Sequence, residues 1–548
     1  MKKTEISQIT LNISTDRFTR IGEFIEKHAH AIIVIVLSIV SIAAFYYYYQ
    51  NGLGLAYNDA RSHLDIGRRV VEGLKPGFAQ LGSVWLPLPH LLMTITIWND
   101  FMWHSGLAGA IISMISFVLT GLLIYKFLKH LKVPLIYRFI GVVVFATNIN
   151  ILYLQSTAMT ELLLIATMTF ASYELLKWGE TKNVLNLIKS AFYIMLSTLV
   201  RYDGWFLLFW AAGIITLIVF SDEYHANRAK VTENIKAAYK KTEGTMIMFL
   251  TLACFGIGLW LLWNLLIFKD PLYFATGPFS AKSQQDQLEV AGVLQTKHDI
   301  FLSIKFYFYA LVYNSNAFMV FLAIIGAIAL WTDKKLTRDI RLCSTALIAP
   351  LFFNIIALYF GHSVLFIQGL SGDTWFNVRY GIMLMPAISV FIAYLFYKVR
   401  NLKAVLIPLL FFVIFFSFAS NDAVTIDDAR VGSSQKNVSE VSGWLAENAK
   451  NQKGYILISA ASHDAIIFSS GLPMKRFIHE GTGDYWDNAT TAPDRWAKWI
   501  IVRTYDDNDL TWKSVNKTGA ISKYNLVDHF PFADIYELKP EFQNQLPE

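Results

Sequence analysis

Charge is what this sequence has least of. Asp, Glu, Lys and Arg make up 16% of its 548 residues, where a soluble domain of ordinary composition carries about a quarter. Cysteine is nearly absent. Cys254 and Cys343 both fall inside apolar runs, which excludes a disulfide framework and a metal–thiolate site. Blocks of Lys and Arg interleaved with aromatics are missing, and the net charge of +6 is small, so no nucleic-acid partner is expected. The N-terminus also lacks the pattern of a cleavable signal peptide. Mostly polar residues precede the first apolar run, and no small-residue cleavage site follows it.

Apolar sequence takes the place of charge. Hydrophobic residues reach 55% and the mean hydropathy is +0.42. A helix needs about twenty apolar residues to cross a bilayer. Such runs lie near Ile32–Tyr49, Gly106–Tyr125, Leu135–Leu154, Ala158–Leu176, Val184–Val200, Gly204–Phe220, Thr245–Phe268, Phe318–Trp331, Cys343–Phe360, Gly381–Tyr397 and Ala404–Ser420. The expected fold is an α-helical polytopic membrane protein with about eleven spans. Arg138 weakens the third span, and the eighth has a second apolar stretch before it, Ile300–Tyr313.

Loop charge sets the orientation. With a cytoplasmic N-terminus, 24 Lys and Arg fall in inner segments, among them Lys2, Lys3, Arg228 and Lys230, and ten fall in the outer loops before residue 421. This reading divides the chain into a cytoplasmic segment (1–30), a membrane domain (31–420) with outer loops at 51–104 and 269–300, and a soluble extracytoplasmic domain (421–548). The expected location is the plasma membrane. Tyr57–Leu74 and the proline-containing Leu86–Trp98 fit helices lying in the membrane interface. The polar middle of Asp270–Asp299 suits a segment that closes over a substrate. In the tail, Val438–Ala449 reads as an amphipathic helix, and Tyr455–Ser459 and Trp499–Val502 read as buried strands, which together imply a small α/β domain. Its 13 Lys and Arg against 18 Asp and Glu do not suit binding to anionic lipid.

Ionisable residues at membrane depth or at span ends are costly and are functional candidates by default. Asp59, Glu161, Arg201, Asp203 and Arg379 fall on the same expected outer face. A carboxylate within reach of a hydroxyl can take its proton as general base. Arginines present paired donors to phosphate oxygens. Asp59, in a polar loop, is the better base, and the deeper Glu161 is suited to orienting substrate or assisting. Plainer roles stay open. Asp59 could cap the helix beginning near Ala60, Glu161 could pair with Arg201, and both arginines could reach to headgroups. Arg61, His63, His90 and Asp203 are candidate substrate contacts. Asp59 and His63 have i,i+4 spacing, but no third ligand accompanies them, so the spacing does not support a metal site.

The first outer loop carries a resemblance. Asn58-Asp59-Ala60-Arg61-Ser62-His63, then Glu72-Gly73-Leu74 and Trp85-Leu86-Pro87-Leu88-Pro89-His90, resembles that of the GT-C fold membrane glycosyltransferases. That group includes the protein O-mannosyltransferases and the lipid A aminoarabinose transferase. The resemblance covers roughly residues 30–420 and implies Asp59 as catalytic base, with Glu161 in Met159-Thr160-Glu161 as a second acid. It also implies Arg379 as a donor-phosphate contact, and Arg201-Tyr202-Asp203-Gly204 resembles an Arg-x-(Glu/Asp)-Gly turn of the group. The adjacent Asp-Glu pair of the O-mannosyltransferases is missing, which puts a protein acceptor in question. Gly483-Asp484-Tyr485-Trp486-Asp487 has the letters of the oligosaccharyltransferase motif in another order and is read as coincidence.

The function implied is transfer of a sugar from a polyprenyl-phosphate donor to a hydroxyl of a glycan, lipid or protein acceptor. Transfer would occur at the outer membrane face, with inversion. No cofactor is expected to be required; a divalent metal is compatible with the chemistry, though no ligand spacing supports one. The alternatives are en bloc oligosaccharide transfer and, from another class, a multi-span transporter. A transporter tends to show internal repeats and broken spans at midplane, neither of which is clear in the sequence.

Overall fold

The computed structural model describes residues 15–547 except 227–230, 278–279, 291, 422, 432–434 and 504–508. Lys2, Lys3, Arg228 and Lys230, which entered the charge comparison, and the first part of the 1–30 segment lie outside the described residues. From Thr15 the chain is helical without a break to Gln50, so the first helix begins well before its apolar run.

The chain is an integral membrane protein built as a helical bundle. Among the described residues six helices are long and apolar enough to cross a membrane, or eight if each of two bent pairs is one span. Leu135–Ala146 and Val184–Thr198 are apolar but shorter. All eleven apolar runs contain helix, but length and apolar character alone do not carry the count to eleven spans. The helix Val378–Lys398 is almost wholly buried and stands at the centre. Lys403–Ser420 is apolar all round yet leaves Phe411, Phe412, Phe415 and Phe416 bare, as a lipid-facing helix does.

Three runs depart from a straight span. Leu135–Leu154 is interrupted at residues 147 and 148. Asn148 begins a new helix, its Oδ1 accepting from the Ile151 amide at 2.9 Å. Ile300–Ser315 and Ala317–Thr332 meet at 108° across Asn316, whose positive φ of 69° turns the chain. Val231–Ala253 and Phe255–Phe268 meet at 47°.

Between the first two spans, the chain forms the helices Asn58–Val71, Leu88–Met93 and Asp100–His104. Arg68 ties them together. It is buried, pairs with Glu72 and Asp100, donates to the Ile97 carbonyl at 2.7 Å and lies 4.7 Å from the Trp103 ring centre. The long loop before Ile300 carries the short helices Tyr273–Thr276 and Ala281–Val290.

After residue 424 come two helices, Val424–Val431 and Gln435–Asn448, and then a five-stranded sheet. Its strands are β1 (Tyr455–Leu457), β2 (Phe477–Ile478), β3 (Ala497–Val502), β4 (Tyr524–His529) and β5 (Asp534–Leu538), in the order β2-β1-β3-β5-β4. β1 runs parallel to β2 and β3, while β5 is antiparallel to β3 and β4. Every residue of β3 is buried, which explains its unbroken apolar centre. Ile456, Trp499, Ile501 and Ile535 share one core with Val441, Leu445 and Ile466, while Leu457, Ile500 and Val502 pack with Ala489 and Val515 on the other side. The sheet thus lies between helices, giving the small α/β unit expected from the tail.

This unit docks on the loop between the first two spans. Gln80 Nε2 donates to the Gly481 carbonyl at 2.6 Å, and Arg61 Nη1 to Ser469 Oγ at 3.1 Å. The stretch Gly483–Asp487 lies beside Lys75 of the same loop.

Candidate functional site

Asp59 is the second residue of the helix Asn58–Val71. An acid in the first turn favours that end of a helix. The carboxylate also reaches out of its helix: Asp59 Oδ2 accepts from Arg379 Nη2 at 2.7 Å. Its side chain stays 42% exposed, which makes it the most open acid of the group.

Glu161 opens the helix Glu161–Thr181 and is fully buried. Its Oε1 accepts from Arg379 Nε at 3.1 Å and lies 3.3 Å from Arg201 Nη1, while Oε2 is buried with no hydrogen-bond partner among the described residues. A carboxylate in so dry a place depends on its cations, because an unpaired buried charge is strongly unfavourable.

Arg201 and Asp203 share a tight turn, with Arg201 Nε 3.3 Å from Asp203 Oδ2. The turn needs the glycine that follows. A Cβ on Gly204 would collide with the Ser197 carbonyl, so only glycine lets the helix Asp203–Ala226 start this close to the helix Val184–Thr198.

Arg379 sits in a 3-10 turn, Val378–Leu384, at the head of the central helix. That turn is held from behind. Asn314 Nδ2 donates to the Val378 carbonyl at 2.7 Å, the Tyr307 hydroxyl to the Tyr380 carbonyl at 3.2 Å, and Gly381 lies flat against the Ala310 carbonyl. The guanidinium lies near the rings of Tyr57 (4.9 Å) and Tyr380 (5.4 Å), and Tyr380 also faces Arg201 at 5.0 Å. Such stacking, out of water, contributes about 2 kcal/mol at its strongest.

The five residues Asp59, Glu161, Arg201, Asp203 and Arg379 therefore form one cluster at the heads of four helices. Three further members were not singled out in the sequence: Tyr57, Tyr380 and Asp428. Asp428 Oδ2 lies 3.7 Å from Arg379 Nη1 and accepts from the Tyr57 hydroxyl at 3.1 Å. Burial pushes the Tyr57 phenol well above its ordinary pKa, so it remains a donor. With all groups ionised, four carboxylates face two guanidiniums. Arg379 meets an acid with each of its three nitrogens, and its side chain is 6% exposed against 21% for Arg201.

The other candidates flank this cluster. Arg61 turns away, donating from Nε to the Leu55 carbonyl at 2.9 Å and from Nη1 to Ser469. His63 Nδ1 and His90 Nε2 are 2.8 Å apart, and Trp85 packs on His63 at 4.4 Å. Burial, reinforced for His63 by Arg201 and Arg379, pushes its pKa down to about 3, and burial lowers that of His90 as well. Both imidazoles are neutral at neutral pH. Among the described residues no three His, Cys, Asp or Glu side chains are grouped to hold a metal ion.

No protein-family model matches the sequence, and no curated protein matches it. Solved structures do. ArnT from Cupriavidus metallidurans in the apo state aligns with a TM-score of 0.51 at 10% identity, covering 94% of this chain and 99% of ArnT. The same protein bound to undecaprenyl phosphate aligns with a TM-score of 0.50 at 9% identity, over 93% and 98% of the two chains. The apo oligosaccharyltransferase of Archaeoglobus fulgidus gives 0.47 at 12% identity, over 87% of this chain and 70% of that one. The alignment with ArnT spans both the helical bundle and the small sheet, and at this identity it concerns the fold: this chain has the GT-C fold.

Proposed function

We propose that the protein is a membrane glycosyltransferase that moves a sugar from a polyprenyl-phosphate donor to an acceptor hydroxyl at the outer membrane face. The observation that carries this reading is the array Asp59–Arg379–Glu161: an open carboxylate held in place by a buried arginine, which is braced in turn by a fully buried acid. The binding of undecaprenyl phosphate by ArnT, a protein of the same fold, supports the choice of donor. The cytoplasmic N-terminus, the extracytoplasmic tail and the division at residue 421 belong to the same proposal and rest on loop charge.

In this mechanism the acceptor hydroxyl attacks the anomeric carbon and passes its proton to Asp59. The new oxygen–carbon bond forms as the bond from that carbon to the phosphate oxygen breaks, and the configuration inverts. The electron pair leaves with the polyprenyl phosphate, and water later takes the proton from Asp59. The exposures of the two arginines divide their roles. Arg201 keeps a more open side chain and is the one to meet the phosphate first, while Arg379 sets the direction of Asp59 and adds charge as the phosphate departs. The neutral His63–His90 pair is buried beside Trp85.

These charges gather at helix heads rather than along a route through the bundle, which favours a transferase over a transporter. The test is to incubate the purified chain with a panel of undecaprenyl-phosphate sugars and follow release of undecaprenyl phosphate. Release from at least one donor, lost in Asp59→Asn, is the expected result. No release from any member of the panel overturns the reading.

A further inference from the structure

Asp428 brings a carboxylate to the cluster from beyond the last membrane span, in the helix Val424–Val431. We propose that it is a positioning residue for Arg379, so that the segment between the membrane bundle and the α/β unit completes the site. The inference rests on the transferase reading above.

Its geometry is that of a brace. Asp428 is 3% exposed and lies at Nη1 of Arg379, while Asp59 takes Nη2 and Glu161 takes Nε. At 3.7 Å the Asp428 contact is a charge contact rather than a hydrogen bond. A charge contact out of water is much stronger than the same contact in solvent. The carboxylate is fixed by the Tyr57 hydroxyl, and the Tyr57 ring is the surface on which the Arg379 guanidinium rests. A guanidinium held at all three nitrogens cannot rotate, and its Nη2 edge stays aimed at Asp59.

The helix carrying Asp428 is anchored independently of that charge. The backbone N–H and hydroxyl of Thr425 both donate to Asn150 Oδ1, at 3.0 and 2.8 Å. Asn150 Nδ2 donates to the Asn314 carbonyl at 3.1 Å, and the Asn314 amide holds the Val378 carbonyl, next to Arg379. The Tyr57 hydroxyl also lies 2.8 Å from the Thr425 carbonyl. The anchor and the brace thus meet at the Tyr57 hydroxyl, but the Thr425–Asn150 contacts do not involve the Asp428 carboxylate, and a substitution at Asp428 leaves them in place.

The experiment uses the full chain in nanodiscs with whichever undecaprenyl-phosphate sugar it turns over. Asp428→Asn keeps the shape of the side chain and an acceptor for Tyr57 but removes the charge. The expected result is a kcat about a hundredfold lower, the scale set by misplacing a catalytic group by about 1 Å. The donor KM should be unchanged or reduced, since one repelling carboxylate is gone. In an Arg379→Lys background the same substitution should add less than about twofold, because residues acting as a unit are not additive. Asp428→Glu keeps the charge and should recover most of kcat, which decides the matter if Asp428→Asn folds poorly. A wild-type kcat in Asp428→Asn, or an undiminished effect in the Arg379→Lys background, overturns the inference alone. Failure of the wild-type chain to act on any donor overturns the transferase reading and the inference with it.

Discussion

Asp59 and Arg379 stand 320 positions apart in the sequence and 2.7 Å apart in the structure. The contact joins the loop after the first span to the turn that starts the central helix, and it links an accessible carboxylate to a guanidinium that water scarcely reaches. The rest of the site is arranged around Arg379: Glu161 and Asp428 at its other nitrogens, with Tyr57 and Tyr380 beside its plane.

Replacing Asp59 should separate activity from stability. Its side chain is 42% exposed, so Asp59→Ala breaks a half-solvated pair and should reduce stability by no more than about 1 kcal/mol. Loss of a general base should lower turnover by about 10² to 10⁴. Turnover of an undecaprenyl-phosphate sugar and the melting temperature of the same preparation check the two halves. A variant that melts with the wild type and still transfers at full rate refutes the role.

Arg379 should behave in the opposite way. Arg379→Met leaves Asp428 buried without its cation and Glu161 with Arg201 alone, and uncompensated buried charge typically costs about 3–5 kcal/mol. Glu161→Gln leaves each arginine another acid, Asp203 or Asp59, and should cost less. Thermal unfolding in detergent, compared across the two variants, tests the order.

Much of this was legible in the sequence, and the reason is scarcity. In a chain this poor in charge, an acid or arginine at the head of an apolar run stands out, which is how Asp59, Glu161, Arg201, Asp203 and Arg379 were found. Asp428 lies beyond this rule, because it follows the last span in a polar stretch that reads as part of the tail. Hydropathy counts apolar residues but does not give direction, so the break at Asn148 is hidden inside a run that reads as straight, and the turn at Asn316 falls between two apolar stretches whose angle the sequence does not show. The sequence allows Glu161 to pair with Arg201, as it does, but the ties of Asp59 and Glu161 to Arg379 lie beyond its reach. Nothing in the spacing of Glu161 shows that one of its oxygens serves two arginines.

The histidine pair supplies a pH dependence with a definite sign. His63 has a folded pKa near 3, that of His90 is lowered too, and an unfolded histidine titrates near 6.5. Between about 6.5 and 3 the unfolded chain binds more protons than the folded one at these positions, so stability falls as pH is lowered through that window. Each fully titrating group contributes at most about 1.4 kcal/mol per pH unit. Melting temperatures at pH 7.5, 6 and 5 should decline in the wild type and decline less steeply in a His63→Gln, His90→Gln double variant. Equal slopes for the two proteins contradict the assignment.

The two arginines should leave different kinetic signatures. Arg201 carries the more open side chain, at 21% exposure, and stacks on Tyr380 with Glu161 and Asp203 on its other sides. A contact to the phosphate made equally in the ground state and the transition state changes KM and not kcat, whereas one realised only as charge develops changes kcat. Arg201→Gln should therefore raise the donor KM by about tenfold, equivalent to the loss of one charge-assisted hydrogen bond of about 1.4 kcal/mol, with kcat little changed. Arg379→Lys keeps the charge but cannot meet three acids with one planar group. It should lower kcat and leave KM near its wild-type value, because in the proposed mechanism Arg379 aims Asp59 and stabilises the departing phosphate. Steady-state kinetics on a single undecaprenyl-phosphate sugar distinguish the two. If the effects are exchanged, with Arg379→Lys acting on KM and Arg201→Gln on kcat, the division of labour drawn from their burial is reversed, although the transferase reading itself is untouched.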